Sequence, residues 1–346
     1  MGNNFMCIKK KDANGSRGRR GLGGRSQRKM LPEEELLHRQ ALAMALQQHQ
    51  LSQRFDGSLS RRIGSTSSRR RDLSSDPFSN AKQVLEVPEE VKATKFVLVH
   101  GEGMGGWCWY KIVALLEELG CASVAVDLSA SGIHLAHASA VTTMAEYCRP
   151  LADFFQKLPQ EEKVILVGHS VGGACVSFLM EQFPDRISKA VFVCAAMVAD
   201  GQKAFDVFAE EFGSAERFLE QKQFMVYGNG EEEQPTAFMF EKQQMRGLYL
   251  NQSPPKDVAL AMSCMRPTPI GPIMEKLTLT AEKYGSGRRF YVQTLDDAVL
   301  AADVQEKLVR ENPPERVFKM KGCDHCPFFS KPQSLNKILL EIAMTP

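Results

Sequence analysis

The sequence predicts an α/β fold whose sheet is mostly parallel and covered by helices on both faces. From residue 96 onward, short apolar runs such as 96–100, 123–128 and 163–168 alternate with segments of helical spacing. Strands of a parallel sheet are buried on both faces, so they appear as continuous apolar runs rather than alternating ones. Hydrophobic residues make up 43% of the 346-residue chain and charged residues 24%. These values are typical of a globular protein and exclude a fully disordered or fibrous one.

Six strands and four helices follow one another along the chain. The strands are predicted at 96–100, 123–128, 163–168, 190–194, 289–294 and 316–320. Helices are predicted at 107–119, which stops at Gly120, at 141–157, at 172–183, which Pro184 closes, and at about 333–343. Residues 197–285 interrupt this alternation. Their helical pattern, rich in Phe and Met, predicts a cap inserted into a domain that spans residues 90–346.

Residues 1–85 differ in composition and are predicted to be a disordered, basic extension. Residues 1–82 contain 17 Lys and Arg against 7 Asp and Glu, whereas the rest of the chain contains 26 against 34. The extension is rich in Gly, Ser and Arg, so it cannot bury enough apolar surface to offset the entropy of ordering. Within it, residues 33–50 contain no Gly or Pro and are a candidate helix.

Three roles for the extension remain open. Its basic, Ser-rich composition favours a chloroplast or mitochondrial transit peptide, although the acidic run 33–35 is untypical of one. Gly2, Cys7 and the lysines at 9–11 leave peripheral membrane contact open, although Met6 stands where the acylation pattern has Ser or Thr. The third is a solvated tail without function, on a cytoplasmic protein. Nucleic-acid binding is not expected, because no binding module is visible.

Two motifs raise the question of a cofactor or metal. Residues 101–106 carry glycines at the first, third and sixth positions, and Asp127 follows about 20 residues later, as in dinucleotide-binding folds. An NAD-dependent dehydrogenase is therefore an alternative, although the ring of Trp107 would obstruct a pyrophosphate. Cys323 and Cys326 form one Cys-x-x-Cys pair without the second ligand pair of a zinc site. We expect no cofactor and no metal, and we expect the nine scattered cysteines to be reduced thiols.

Residues 168–172, Gly-His-Ser-Val-Gly, form a stronger motif. They fit Gly-x-Ser-x-Gly directly after an apolar strand and before a helix, which is the context of the nucleophile turn in the α/β-hydrolase fold. The turn is tight, so its flanking residues must be small, and Gly168 and Gly172 meet that requirement. The motif therefore predicts Ser170 as a nucleophile whose Oγ is held out at the end of the sheet, at the start of the next helix.

A serine hydroxyl needs a base, and this fold orders its triad along the chain as Ser, then Asp or Glu, then His. His325 is the only histidine after the motif that contains Ser170, and it follows the last predicted strand. It is therefore the predicted base. Asp296 and Asp297 both follow the preceding strand. We prefer Asp296 as the acid that orients the imidazole, with Asp297 as the alternative.

The oxyanion that forms during acyl transfer needs backbone N–H donors. In this fold one comes from the residue after the nucleophile and one from the loop after the first strand. These donors are predicted to be the N–H groups of Val171 and Glu102. This interpretation explains the glycines of residues 101–106 without a dinucleotide.

Several segments resemble the plant methylesterase family of α/β-hydrolases. They are residues 97–101 (VLVHG), 106–111 (GWCWYK), 163–170 (KVILVGHS), 251–261 (NQSPPKDVALA) and 321–325 (KGCDH). The resemblance covers residues 95–345 and implies hydrolysis of plant-hormone methyl esters: methyl indole-3-acetate, methyl jasmonate or methyl salicylate. It also implies the triad Ser170, Asp296 and His325. The basic extension is similar to that of a branch described as chloroplast-targeted.

Two departures from the family pattern bear on function. Glu102 stands where the family more often has Ala or Gly, and we expect its side chain to point away from the substrate. The related hydroxynitrile lyases have Lys where this chain has Cys326, which makes a lyase a weaker alternative than an esterase. A catalytically silent hormone receptor is a further alternative.

The predicted partner is a small apolar methyl ester, held by cap and core side chains. The predicted lining residues are Phe192, Phe208, Phe224, Met225, Phe238 and Phe240. Whether the protein is a homodimer stays open at this point.

Overall fold

The computed structural model describes residues 88–220 and 224–346. The predicted extension at 1–85, with its candidate helix at 33–50, lies outside the described residues. The main sheet contains six parallel strands in the order β2-β1-β3-β4-β8-β9. The strands are β1 Lys95–Val99, β2 Ala122–Val126, β3 Val164–His169, β4 Ile187–Val193, β8 Arg289–Thr294 and β9 Arg316–Met320. The mostly parallel α/β-hydrolase architecture predicted from the sequence is confirmed.

Helices connect these strands and cover the sheet. They are α1 Glu89–Lys92, α2 Tyr110–Glu118, α3 Met144–Tyr147, α4 Arg149–Lys157, α5 Gly172–Gln182, α6 Ala204–Phe212, α7 Ala215–Glu220, α8 Lys242–Gln244, α9 Pro255–Cys264, α10 Ile270–Met274, α11 Ala302–Glu311, α12 Pro327–Ser330 and α13 Pro332–Met344. Short 3-10 turns occupy Gly106–Trp109, Ala138–Ala140 and Pro184–Arg186, and π-helical turns occupy Met245–Tyr249 and Ala281–Gly285. No helix among the described residues is long and apolar enough to cross a bilayer.

Burial follows the position of each strand in the sheet. Strand β3, in the interior, is buried along its whole length, whereas β2, at the edge, is only half-buried. Helix α5 packs on β3 and β4, and α2 packs against α13. Strand β3 is therefore held by α5 on one face and by β1 and β4 along its two edges, and its carboxyl end carries the nucleophile motif. The eight cysteines in the described part of the chain carry free thiols.

Two sequence-based boundaries are corrected. The single helix predicted at 141–157 is divided into α3 and α4. Thr143 and Glu146 form a capping box at the start of α3, and Pro150, which lacks an N–H, lies in the first turn of α4. The segment at 197–285 is not helical throughout. It also contains a small antiparallel sheet of β5 Met225–Val226, β6 Ala237–Phe238 and β7 Thr268–Pro269.

Buried carboxylates connect residues 251–257 to the rest of the domain. Asp257 accepts hydrogen bonds from the Tyr110 hydroxyl at 2.7 Å and from Lys111 Nζ at 2.5 Å. Asp324 accepts the Ser253 hydroxyl at 2.7 Å. Asp324 immediately precedes His325, so this contact fastens the inserted segment to the loop of the predicted base.

Candidate active site

Ser170 lies in a strained turn between β3 and α5. Its backbone φ is +52°, a left-handed conformation that is costly for a residue with a side chain. A Cβ atom on Gly168 would lie 2.6 Å from Val176 Cγ2, and one on Gly172 would lie 2.4 Å from the His100 carbonyl oxygen. Glycine is therefore required at both flanks of the turn. The turn holds the Ser170 hydroxyl at the carboxyl end of the sheet.

Three side chains from separate loops form a hydrogen-bonded relay. His325, between β9 and α12, places Nε2 2.8 Å from Ser170 Oγ. Its Nδ1 lies 2.7 Å from Oδ2 of Asp297, in the loop after β8. The preference for Asp296 is corrected by this geometry. Asp296 is exposed, and its Oδ2 accepts the Gly322 N–H at 2.7 Å instead.

Hydrogen bonds around Asp297 explain why the second aspartate faces the imidazole. Its Oδ1 accepts the N–H groups of Val299 and Leu300 at 2.8 and 2.9 Å, and its Oδ2 accepts the Thr294 hydroxyl at 2.8 Å. Burial by itself raises the pKa of Asp297, but the charge and hydrogen bond of His325 and these backbone donors lower it by more. The net pKa lies below its usual value, so Asp297 is a carboxylate that orients the imidazole.

The same contacts prepare His325 as a base. Burial by itself lowers the pKa of His325, but the charge and hydrogen bond of Asp297 raise it by more, so the net pKa lies above its ordinary value. Because the Asp297 carboxylate can only accept, the neutral imidazole carries its proton on Nδ1. Nε2 is then free to accept the proton of Ser170, which is the tautomer that a general base requires.

Two further buried side chains hold the backbone of His325. His169 Nε2 donates to the His325 carbonyl oxygen at 2.7 Å, and Cys194 Sγ lies 3.3 Å from the same oxygen. Burial and the charge of His325 lower the pKa of His169 well below its ordinary value, so the ring is neutral. The sequence analysis assigned no role to His169. Its place directly before the nucleophile was the sequence signal for this positioning role.

The ligand atoms of His169, Cys194 and His325 lie within 4.8 Å of one another. Both ring nitrogens of His325 are engaged by Asp297 and Ser170. Burial raises the pKa of Cys194 well above its usual value, so its thiol stays protonated. A metal ligand must be deprotonated and have a free lone pair. These three side chains do not meet that requirement, and their contacts instead position the His325 imidazole.

The carboxylate of Glu102 occupies the position predicted for the oxyanion. Its Oε2 accepts the Val171 N–H at 3.4 Å, and its Oε1 lies 3.1 Å from Ser170 Oγ. The Tyr249 hydroxyl, from the inserted segment, donates to the same Oε1 at 2.5 Å. The expectation that the Glu102 side chain points away from the substrate is therefore wrong. Its backbone N–H stays the predicted second donor, and its side chain also reaches the site.

Tyr249 belongs to the site although the sequence analysis did not single it out. Burial, then the charge and hydrogen bond of Glu102, raise the pKa of Tyr249 well above its usual value, so its hydroxyl is a donor. The Tyr249 ring also packs edge-on against the His325 imidazole, with centroids 5.0 Å apart. Nothing in the local sequence marks this tyrosine, because its partner Glu102 is distant along the chain.

Asp127 is bound within the protein rather than directed at a ligand. Its Oδ1 accepts the Gly106 N–H at 2.6 Å and its Oδ2 accepts the Ile133 N–H at 3.1 Å. In a dinucleotide fold the corresponding carboxylate binds a ribose hydroxyl. Here both oxygens hold the loops at 101–106 and 127–133, so the dehydrogenase alternative loses its ribose-binding residue.

A narrow apolar pocket adjoins Glu102 and Val171. Its other lining residues are Phe205, Phe208, Phe218, Phe238, Phe240, Ile270, Ile273 and Met274. Phe208, Phe238 and Phe240 were predicted, whereas Phe192 is buried in β4, and Phe224 and Met225 do not line the pocket. These side chains pack closely around the cavity and make it a small apolar pocket.

A serine on a sharp turn after β3, with a histidine and an aspartate on loops after later strands, defines the serine-hydrolase class of the α/β-hydrolase fold. In agreement, the model described as the alpha/beta hydrolase family matches residues 96–338.

Comparison with individual proteins identifies the family within the serine-hydrolase class. The chain is 65% identical over 352 residues to "Putative methylesterase 12, chloroplastic" of Arabidopsis thaliana, with 100% of both chains covered. It is 37% identical over 256 residues to methyl jasmonate esterase 1 of Vitis vinifera, covering 73% of this chain and 98% of that protein. The crystal structure of the methylesterase MES16 from Arabidopsis matches 72% of this chain and 98% of its own, with a TM-score of 0.64 and 33% identity. The chain belongs to the plant methylesterase family, as the sequence resemblance indicated.

Proposed function

We propose that the protein hydrolyses methyl esters of small apolar acids by acyl transfer through Ser170. The observation that carries the proposal is the relay in which Ser170, His325 and Asp297 are joined at 2.8 and 2.7 Å beside an apolar pocket. The names of the relatives support methyl esters as the substrate class. Within that class we propose the plant-hormone esters of indole-3-acetate, jasmonate and salicylate.

The reaction follows from the geometry in two steps. Ser170 Oγ attacks the ester carbonyl carbon while its proton passes to His325 Nε2. The bond to the methoxy group then breaks, and methoxide takes that proton and leaves as methanol. Water attacks the acyl carbon, gives a proton to His325, and releases the acid and free Ser170. Asp297 stabilises the imidazolium in both steps.

A panel of the three methyl esters tests this proposal on the full-length protein. Wild type is expected to release acid, and Ser170→Ala is expected to reduce kcat by about 10⁴-fold or more. The matched control is Ser177→Ala, which removes another buried serine hydroxyl, bonded to the Gly173 carbonyl oxygen at 3.1 Å. The proposal is refuted if wild type hydrolyses none of a broad range of methyl esters, or if Ser170→Ala retains the wild-type rate.

A catalytically silent hormone receptor is the second candidate. The observation in its favour is the Glu102 carboxylate at the position of the oxyanion, beside the Val171 N–H. This function predicts saturable binding of the free acids by calorimetry with no turnover of their esters. Turnover that depends on Ser170 would exclude it.

We propose further that residues 1–85 direct the protein to the chloroplast. The excess of Lys and Arg over Asp and Glu in residues 1–82 supports this role, and a relative that matches along its whole length is named chloroplastic. Residues 1–85 fused to a fluorescent protein are expected to carry it into plastids of plant cells, and the fusion without them is expected to remain outside. Fluorescence at the plasma membrane would favour the membrane-contact alternative instead.

A further inference from the structure

Glu102 competes directly for the proton of the nucleophile. The Ser170 hydroxyl has one proton and two acceptors, His325 Nε2 at 2.8 Å and Glu102 Oε1 at 3.1 Å. When the proton points to Glu102, the imidazole cannot remove it. Glu102 therefore opposes the step that activates the serine.

The same carboxylate occupies the acceptor position that an ester carbonyl oxygen needs. Its Oε2 accepts the N–H of Val171, which is the donor that the fold offers to the oxyanion. A tetrahedral intermediate would place a negative oxygen at this position, next to a negative carboxylate. In a buried site such like charges repel strongly, because little water screens them.

The backbone on both sides of Glu102 is held in place next to the nucleophile turn. A Cβ atom on Gly101 would lie only 2.7 Å from His169 Nδ1, so the loop is already packed against the nucleophile turn. On the other side, Gly103 donates its N–H to Thr268 Oγ1 at 2.7 Å, and its carbonyl oxygen accepts the Arg266 N–H at 3.0 Å. Only the side chain can rotate, and it stays in a pocket whose other lining residues are apolar.

A displaced Glu102 carboxylate therefore needs a new hydrogen-bond donor. Once an ester binds, the carboxylate gives up the Val171 N–H, and acylation removes the Ser170 donor. Of its three donors, only the Tyr249 hydroxyl remains. A buried carboxylate with too few donors is costly. The other side chains that line the pocket are apolar and offer no donor, so a substrate with its own donor can supply one.

We propose that Glu102 is a specificity-determining residue that selects methyl esters bearing an O–H or N–H donor next to the ester group. Such a donor binds the displaced carboxylate and keeps it away from the oxyanion. An ester of the same size without a donor leaves the carboxylate in competition for the Val171 N–H. This inference rests on the ester hydrolysis proposed above.

The test compares methyl salicylate with methyl 2-methoxybenzoate, which has the same ring but lacks the donor. The specificity ratio is kcat/KM for the first ester divided by kcat/KM for the second, measured with wild type, Glu102→Ala and Glu102→Gln. The intrinsic reactivities of the two esters cancel when variants are compared. We expect Glu102→Ala to lower the ratio about tenfold, mainly by accelerating the methoxy ester. Glu102→Gln is expected to lower it less, because the amide still fills the position.

A matched control separates this effect from a general loss of buried charge. Glu181 is also a buried glutamate, but it binds the Thr280 N–H and hydroxyl at 2.8 and 3.0 Å, outside the relay. Glu181→Gln is expected to leave the specificity ratio unchanged. The inference is overturned if Glu102→Ala leaves the ratio unchanged or slows both esters equally.

A second readout does not need turnover. The charges that act on His325 are those of Asp297, Glu102 and Asp324, and the rings of His169 and Tyr249 pack against its imidazole. Asp297 is the largest of the charges that raise the pKa of His325, and the charges of Glu102 and Asp324 raise it further. Glu102→Gln is expected to lower that pKa in an NMR titration of the imidazole, and an unchanged titration would overturn the placement of the carboxylate.

The two readouts distinguish failure of the inference from failure of the proposed function. If wild type hydrolyses methyl esters but the ratio does not depend on Glu102, the inference fails and the function stands. If no variant hydrolyses either ester and wild type hydrolyses no other methyl ester of the broad range, the function fails. Binding of the two esters is then compared through the His325 resonance in the NMR titration. A preference for the donor ester in wild type that disappears in Glu102→Gln would still support the inference. An equal preference in both would overturn it.

Discussion

Replacing Asp297 with Asn tests the assignment of the imidazole's partner. Oδ1 of Asp297 accepts two N–H groups, from Val299 and Leu300, so the amide oxygen of an asparagine would stay at that position. Its NH₂ group would then take the place of Oδ2, which lies 2.7 Å from His325 Nδ1. An NH₂ group can only donate, so the imidazole would move its proton to Nε2. In that tautomer it cannot accept the proton of Ser170.

The expected loss follows from this change of tautomer. In serine proteases, the equivalent substitution lowers kcat by about 10⁴-fold, which corresponds to about 5 kcal/mol in the activation free energy. We expect a loss of the same order in Asp297→Asn, measured as kcat with the most rapidly hydrolysed ester at pH 7.5. The fold should persist, because the substitution keeps the side-chain volume, and circular dichroism checks this.

The neighbouring aspartate supplies a matched control. Asp296 is exposed, and its Oδ2 accepts the Gly322 N–H. Asp296→Asn preserves an acceptor oxygen, so we expect kcat to stay within about twofold of wild type. A large loss in Asp296→Asn together with near wild-type turnover in Asp297→Asn would refute the assignment.

Three other predictions follow from the site. His325 must lose its proton to act as a base, and its pKa is raised. A pH–rate profile should therefore show kcat/KM increasing with pH through a midpoint above 6.5. A midpoint below 6.5 would contradict this prediction. His169→Phe removes the donor to the His325 carbonyl oxygen but keeps an aromatic ring at this position. Steady-state kinetics should therefore show kcat lowered about tenfold and KM little changed. A change in KM alone would refute the positioning role of His169. Gly172→Ala would place a Cβ 2.4 Å from the His100 carbonyl oxygen, so urea unfolding should show a loss of about 3 kcal/mol. Gly247→Ala, with no atom within 4 Å of the added Cβ, is its control, and equal effects of the two would refute the steric argument.

The sequence is sufficient to predict the fold class and the contact between Ser170 and His325. Continuous apolar runs predict parallel strands, because strands covered on both faces have no polar side. Ser170 follows one such strand in a motif that requires glycines on either side, and His325 is the only histidine later in the chain. Since the carboxyl ends of parallel strands lie at one edge of the sheet, chain order alone predicts that these two residues meet.

Only the tertiary structure distinguishes Asp296 from Asp297. The two residues are chemically identical and adjacent, so neither composition nor spacing separates them. The choice depends on the direction of the chain after β8, where the N–H groups of Val299 and Leu300 draw the second carboxylate inward. Adjacent side chains in a turn point in different directions, so only one of the two can face His325. Contacts within the folded chain decide which one does, and the sequence pattern does not show those contacts.

The orientation of Glu102 is decided in the same way. In the sequence, a glutamate in the glycine-rich loop near the oxyanion position is expected to point away from the substrate, because its charge would oppose the oxyanion. In the folded chain Tyr249 is distant along the sequence but supplies a hydroxyl at 2.5 Å, and Ser170 and Val171 supply two more donors. Local sequence determines which groups are available for chemistry. Packing of the inserted segment determines which of them meet, because hydrogen bonds between distant residues form only once that segment is in place.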